Sequence, residues 1–283
     1  MGLGIGRLTR AQSWEDLKPR LISAVILGLA VLGLAIAGGT LFRLLCVATG
    51  YIVFDEWARI TGAKRAGPLF YLARRALVLS LLAFLFHFEL AAILIVAVVA
   101  LFIAFVDRRE KRANWVAGGL LYAGVAGLAP GMLRGDDVEG LIALGLVICV
   151  VWSTDIFAYF SGRMFGGPKL MPLVSPKKTI SGAVGGLLAG MVAGGVYAHF
   201  LMHGASFGLL LMAGVLSIVG QAGDLYESWI KRRFGVKDSG KLIPGHGGLM
   251  DRIDALVIAT GVLWLIGLAG RGLEDPAFAI FHL

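Results

Sequence analysis

The sequence predicts an all-α, polytopic integral membrane protein with about nine transmembrane helices and a cytoplasmic N-terminus. Three observations carry that reading. Hydrophobic residues fill 58% of the 283 positions and charged residues only 16%, where a soluble domain carries roughly a quarter charged. The apolar residues gather into runs long enough to cross a bilayer as helices, and the mean hydropathy is +0.84. Lysine and arginine fall in alternate segments between those runs.

Taken in order, residues 1–20 form a mildly amphipathic cytoplasmic segment, expected either along the membrane surface or as a frayed, solvated tail. Hydropathy then places spans near 21–38, 41–55, 76–88, 90–106, 115–132, 139–160, 180–201, 207–228 and 253–270. The first contains Ala35-Ile36-Ala37, which has the form of a cleavage site. It is longer than a signal-peptide core and reads as a span. The third is the weakest, being short and interrupted by Phe86, His87, Phe88 and Glu89. The seventh is rich in glycine (Gly182, Gly185, Gly186, Gly190, Gly194, Gly195), which lets neighbouring helices approach closely. These runs divide into N-terminal transmembrane helices over 21–138, a C-terminal transmembrane region over 139–271, and a tail over 272–283.

Orientation follows from the basic residues. Arg7, Arg10, Lys18 and Arg20 precede the first run, and Arg59, Lys64, Arg65, Arg74 and Arg75 follow the second. Arg108, Arg109, Lys111 and Arg112 follow the fourth, and Arg163, Lys169, Lys177 and Lys178 the sixth. Lys231, Arg232, Arg233, Lys237, Lys241 and Arg252 follow the eighth. Of the 26 basic residues only Arg43, Arg134 and Arg271 remain, one in each of three segments on the other side. Strict alternation of this kind requires nine spans and a cytoplasmic N-terminus.

The net charge of +8 is dispersed over short loops. It suits an anionic membrane surface and polyanionic small substrates, and not a nucleic acid. Cys46 and Cys149 both lie in apolar runs and read as small buried hydrophobes without a disulfide.

Two cytoplasmic loops, 161–179 and 229–252, concentrate the polar chemistry. At the end of the eighth span, Asp224, Glu227, Ser228 and Lys231 share one helical face. Asp251 and Asp254 share a face at the start of the ninth. Acids at membrane depth are costly, so they serve either as ion-pair partners for Lys231 and Arg252 or as ligands of a hard cation. A cation such as Mg²⁺ takes one or two carboxylates and completes its shell with substrate phosphates. Pro244-Gly245-His246-Gly247-Gly248 is a permissive turn whose amides suit an anion, or a plain tight turn. On the sixth span Asp155 and Tyr159 are four apart and face the same way. Ser175-Pro176-Lys177-Lys178-Thr179 offers two ammoniums and two hydroxyls before the seventh span, which suits a triphosphate clamp or ordinary positive-inside charge.

The pattern from Ser228 through Lys231-Arg232, Lys237-Asp238, Pro244 to Gly248, Asp251-Arg252 and Asp254 resembles the signature of the phosphatidate cytidylyltransferase (CDP-diacylglycerol synthase) family. The segments Asp155–Tyr159 and Ser175–Thr179 are similar to that family's other recurring stretches. Over residues 150–255 the likeness is strong; further N-terminally it is confined to hydropathy and Leu17-Lys18-Pro19-Arg20. Ser181 departs from it, because many members carry an acid there, and no role is assigned to it.

The resemblance implies a Mg²⁺-dependent reaction of CTP with phosphatidate that yields CDP-diacylglycerol and pyrophosphate in a bacterial inner membrane. It implies Asp224 and Asp251 as metal ligands with Asp155 and Asp254 as acidic neighbours. Lys177, Lys178, Lys231, Arg232 and Lys237 are expected to neutralise the phosphates, with His246 a further catalytic candidate in the turn. Tyr159, Ser175, Thr179, Ser228, Gly247, Gly248 and Arg252 are expected substrate contacts. A monovalent cation and a homodimer are left open. A transporter would show acids at the bilayer midplane and an internal repeat, and neither is seen. A CTP-using lipid kinase of related architecture is the nearer rival, separable by its product.

Overall fold

A computed structural model of the chain describes residues 26, 28–106, 111–202, 206–242, 247–273, 276–277 and 281. The amphipathic segment 1–20 and Pro244, Gly245 and His246 lie outside the described residues.

Among the described residues nine α-helices match the nine apolar runs one for one. They are α1 (Gly28–Ala37), then α2 (Gly39–Thr61), α3 (Pro68–Leu85), α4 (Glu89–Val106) and α5 (Lys111–Arg134). After these come α6 (Val138–Phe165), α7 (Ile180–Leu201), α8 (Phe207–Arg233) and α9 (Met250–Arg271). Seven of them, α3 to α9, are long and apolar enough to cross a membrane. Helix α2 has 23 residues, at 1.5 Å each also enough. Its polarity comes from Arg43, Asp55, Glu56 and Arg59, of which Arg43 and Glu56 are buried inside the bundle.

The weak third run proves to be a full-length helix that starts at Pro68, eight residues before the hydropathy window opens. Arg74 and Arg75, expected in a loop, belong to it. Proline suits the first helical position. Arg74 is accommodated at the surface over the Tyr51 ring, 5.5 Å from its centroid, and donates to the Tyr51 hydroxyl. Helices α6 and α8 likewise run past their apolar windows, to Phe165 and Arg233. The remainder of the first polar loop is not a loop. It forms an antiparallel hairpin of β1 (Lys169–Met171) and β2 (Ser175–Thr179), pairing Lys169 with Thr179 and Met171 with Ser175.

Small residues set the helix contacts. A Cβ on Gly50 of α2 would lie 3.0 Å from Gly127 Cα of α5, so these backbones all but touch. On α7, Gly182, Gly186, Gly190 and Gly194 recur every four residues against Ala158, Thr154 and Val150 of α6. The resulting core has two parts, one dominated by α2 to α5 and one by α6 to α9.

At one end of the bundle two of the three basic residues that break the charge alternation are used structurally. Arg43 donates to Phe84 O at 2.7 Å and to Glu89 Oε1 at 3.0 Å. Arg134 caps the carbonyls of Ala35 (2.7 Å) and Asp137 (2.8 Å). The end of α2, the start of α5, the hairpin, the end of α8 and the start of α9 meet at the opposite end.

Candidate functional site

The site grows from the C-terminal turns of α8. Because α8 stays helical through Arg233, Asp224 and Ser228 stand one turn apart, as do Glu227 and Lys231. Ser228 Oγ donates to Asp224 Oδ1 at 3.4 Å, and Lys231 Nζ donates to Glu227 Oε2 at 3.1 Å. The face read from the sequence is therefore real.

Two lysines join this face to other elements. Lys178 of β2 forms an ion pair with Asp224 Oδ2. Lys231 reaches across to Asp251 Oδ1 of α9 at 2.7 Å. Asp251 is fixed further, since its Oδ2 accepts the amides of Ser239 (2.8 Å) and Gly248 (2.9 Å). Side-chain exposure grades outward, from 0% at Glu227 and 7% at Asp251 to about a third at Lys178 and Asp224. The inner pair is desolvated and rigid, while the outer pair is open to a ligand.

Asp155 and Asp254 border the same cluster. Asp155, on an exposed face of α6, is within electrostatic reach of Asp224 and Lys178. Asp254 is within reach of Asp224, Glu227 and Lys231, and its Oδ1 accepts the Ala255 amide at 2.8 Å.

Several expected contacts take other roles. Strand alternation separates the two lysines of the Ser175–Thr179 stretch: Lys178 turns inward, whereas Lys177 is exposed. Thr179 is buried and N-caps α7, accepting the Gly182 amide at 3.1 Å. Ser181 ties this cap to the end of α6 through Thr179 and Gly166 O. Ser175 is half-buried in the hairpin. Tyr159 accepts from Arg163 at 2.9 Å on the exposed face of α6. Arg232 and Lys237 are exposed at the rim, and Arg252 is exposed on the first turn of α9.

The turn holding Gly247 and Gly248 reads from sequence as an anion cradle or a plain tight turn. The Gly248 amide is instead given to Asp251, and both glycines are needed for the close approach of the protein's own carboxylates. Gly247 has φ +86°, and a Cβ there would sit 2.6 Å from Asp251 Oδ2; one on Gly248 would sit 2.6 Å from Glu56 Oε1.

Glu56 is the residue that sequence reasoning missed. It is fully buried on α2 and accepts from the Leu249 amide (3.0 Å), the Met250 amide (2.8 Å) and Ser239 Oγ (3.1 Å). Three donors of the turn before α9 thus converge on one acid from the N-terminal half. The only signal was its position: Glu56 directly follows the apolar run 41–55, and the helix continues past it to Thr61.

The donor set fits a hard cation such as Mg²⁺. All candidates are carboxylates, and the buried Glu227 side chain lies against the carboxyl of Asp254. Among the described residues no three His, Cys, Asp or Glu side chains are grouped closely enough to hold a metal ion. Phosphate or water oxygens would have to complete the shell.

Comparison with known proteins shows the family. The model of the cytidylyltransferase family matches residues 18–268. A phosphatidate cytidylyltransferase of Brucella suis biovar 1 (strain 1330) is 41% identical over 269 residues, covering 94% of this chain and 99% of that protein. One from Staphylococcus haemolyticus (strain JCSC1435) is 31% identical over 253 residues, 87% of this chain and 97% of the other. With a match that takes in eight of the nine helices entirely and nearly all of the ninth, this chain belongs to the cytidylyltransferase family.

Proposed function

We propose that the protein is an integral membrane nucleotidyltransferase that converts CTP and phosphatidate to CDP-diacylglycerol and pyrophosphate for phospholipid synthesis. A phosphatidate oxygen attacks the α-phosphorus of CTP, a new P–O bond forms, and the bond to the β-phosphate breaks to release pyrophosphate. Phosphate monoesters have a second pKa near 6, so the nucleophile is largely ionised at neutral pH and needs no general base. The remaining problem is repulsion between two polyanions, which fixed positive charge relieves.

The observation that carries this reading is the pair of lysine bridges from β2 to α8 and from α8 to α9. They hold Asp224 and Asp251 on one polar cluster at a bundle end. Lys178, in the more exposed pair, is available to exchange Asp224 for a substrate phosphate. Lys231 keeps Asp251 and Glu227 in place. Exposed Lys177, Arg232 and Lys237 steer the triphosphate toward the cluster. Mg²⁺, when bound through Asp224 and Asp251, would supply charge neutralisation and Lewis-acid polarisation of the phosphates. Trp152, Ile156, Phe157 and Phe160 flank Asp155 on the exposed face of α6, an apolar surface suited to acyl chains that remain in lipid. By the positive-inside alternation this end of the bundle faces the cytoplasm of a bacterium.

Purified protein assayed with CTP and labelled phosphatidate should form CDP-diacylglycerol and pyrophosphate only when Mg²⁺ is present. Asp224→Asn and Asp251→Asn should each abolish turnover. Near-normal turnover in either folded variant would remove that residue from the metal site. A phosphorylated alcohol as the only product would replace the transferase by a kinase.

A further inference from the structure

A second cavity at the same end of the bundle gathers cations that the transfer reaction does not use. It has a volume of about 460 Å³ and lies between the end of α2, the 3-10 turn Ala63–Ala66, the start of α5 and the residue after α8. Three arginines from three elements line it: Arg59 from α2, Arg65 from the turn and Arg112 from α5. Trp115 and Phe234 supply an apolar wall, packed edge to face with centroids 4.9 Å apart. That wall is fixed, because Trp57 Nε1 donates to the Trp115 carbonyl at 2.8 Å.

Among the described residues the charges in this cavity are incompletely balanced. Among the described residues Arg59 is engaged through Nε, by the backbone carbonyl of Asp55 at 3.3 Å and its carboxylate at 3.2 Å. Asp55 also serves Lys64, at 3.5 Å. Arg65 and Arg112 have no acidic partner among the described residues. Orienting a membrane protein requires basic residues in a loop, but it does not require three guanidiniums around one aromatic-walled hollow. Like charges gathered in this way repel unless an anion sits among them. Guanidinium forks match phosphate oxygens bidentately, and aromatic side chains favour the boundary between headgroups and acyl chains.

We propose that this cavity is a binding site for a phosphate-bearing headgroup, and that its occupant is an anionic phospholipid of the adjoining leaflet. The phosphate lies among Arg59, Arg65 and Arg112, and the glycerol and first acyl carbons lie on Trp115 and Phe234. Phe234 follows α8 three residues after Lys231. An occupant therefore braces the end of the helix that carries the lysine cluster against α2 and α5. The site is separate from the transfer centre, and a binding measurement tests it whether or not the proposed reaction is correct.

Native mass spectrometry of the full chain, released from micelles containing equal amounts of phosphatidylglycerol and phosphatidylcholine, reads occupancy directly. The unaltered protein should retain phosphatidylglycerol selectively. Arg65→Ala with Arg112→Ala should lower that retention at least about tenfold, and Arg65→Lys with Arg112→Lys should fall between. Lys64→Ala with Arg75→Ala removes the same charge outside the cavity and should retain the lipid. Turnover of each variant in detergent verifies folding. Equal retention of the two lipids by the unaltered protein, or equal loss in the two alanine pairs, overturns the proposal. Displacement of phosphatidylglycerol by inorganic phosphate at low concentration would overturn the lipid assignment and give the site to a soluble phosphate.

Discussion

The carboxylate of Glu56 accepts the Met250 amide at 2.8 Å and so ties α2 to the first turn of α9, 194 positions further along the chain. The same carboxylate takes the Leu249 amide and the Ser239 hydroxyl, so it holds the turn whose Ser239 and Gly248 amides hold Asp251. Glu56→Ala would orphan three donors in a buried site, each costing about 1–3 kcal/mol. Turnover should fall more than about tenfold, and the thermal midpoint in detergent should drop. Glu56→Gln keeps the volume but presents an amide nitrogen to at least one donor, and should lie between the two. If Glu56→Ala melts and turns over normally, the clamp is dispensable.

Lys178 and Lys177 are adjacent in sequence but lie on opposite faces of β2, and only Lys178 meets Asp224. Lys178→Ala should raise the KM for CTP by roughly tenfold or more, the scale of one charge-assisted contact. Lys177→Ala should change it by no more than about twofold and respond chiefly to ionic strength, as expected for steering. Initial rates across a CTP series at two salt concentrations distinguish them. Equal effects would mean that both lysines act from the rim.

Most of the fold was legible because lipid imposes a simple rule: each span needs a long apolar run, and each cytoplasmic loop carries charge. The rule failed at Pro68–Ala73, where Arg74 and Arg75 lower the hydropathy of a segment that is nevertheless helical. It failed again at Lys169–Thr179, because a short polar hairpin has no apolar alternation to announce it. In the site, the α8 face followed from helical periodicity. Lys231 as an ion-pair partner of the acids was one of the two readings and is found on Glu227 and Asp251, whereas Lys178 to Asp224 and Glu56 to Met250 are tertiary pairings that no local spacing encodes. The turn at Gly247-Gly248 left two sequence readings open, an anion cradle or a tight turn, because the steric constraint that Glu56 and Asp251 place on it is tertiary.

Lys231 lies between two carboxylates, Glu227 at 3.1 Å and Asp251 at 2.7 Å, with only 12% of its side chain exposed. Lys231→Met would leave both acids without their cation, and breaking a buried pair in this way costs about 3–5 kcal/mol. Glu227→Gln in the same chain removes one of the two acids left without a cation. The double variant should therefore melt higher than Lys231→Met alone, although it carries more changes. Turnover should stay low in both, because Asp251 has still lost its bridge to α8. Simple addition of the two single effects on melting would show that the charges are not coupled.

Gly248→Ala separates two roles for the turn before α9. If the Gly248 amide existed to cradle a substrate phosphate, an alanine would keep that amide and chiefly shift the KM for CTP. Its amide is instead bonded to Asp251, and the new Cβ would collide with Ser239 Oγ and with both Glu56 oxygens, at 2.6 and 2.7 Å. Glu56 is fully buried on the bundle helix α2, so it has little room to retreat. The expected result is a lowered melting temperature and a kcat reduced by at least about tenfold, with little change in KM. Combining Gly248→Ala with Ser239→Gly removes the nearest obstacle while keeping the Ser239 amide on Asp251, and should recover part of both losses. A pure KM effect in Gly248→Ala, with normal melting, would return the turn to the phosphate-cradle role.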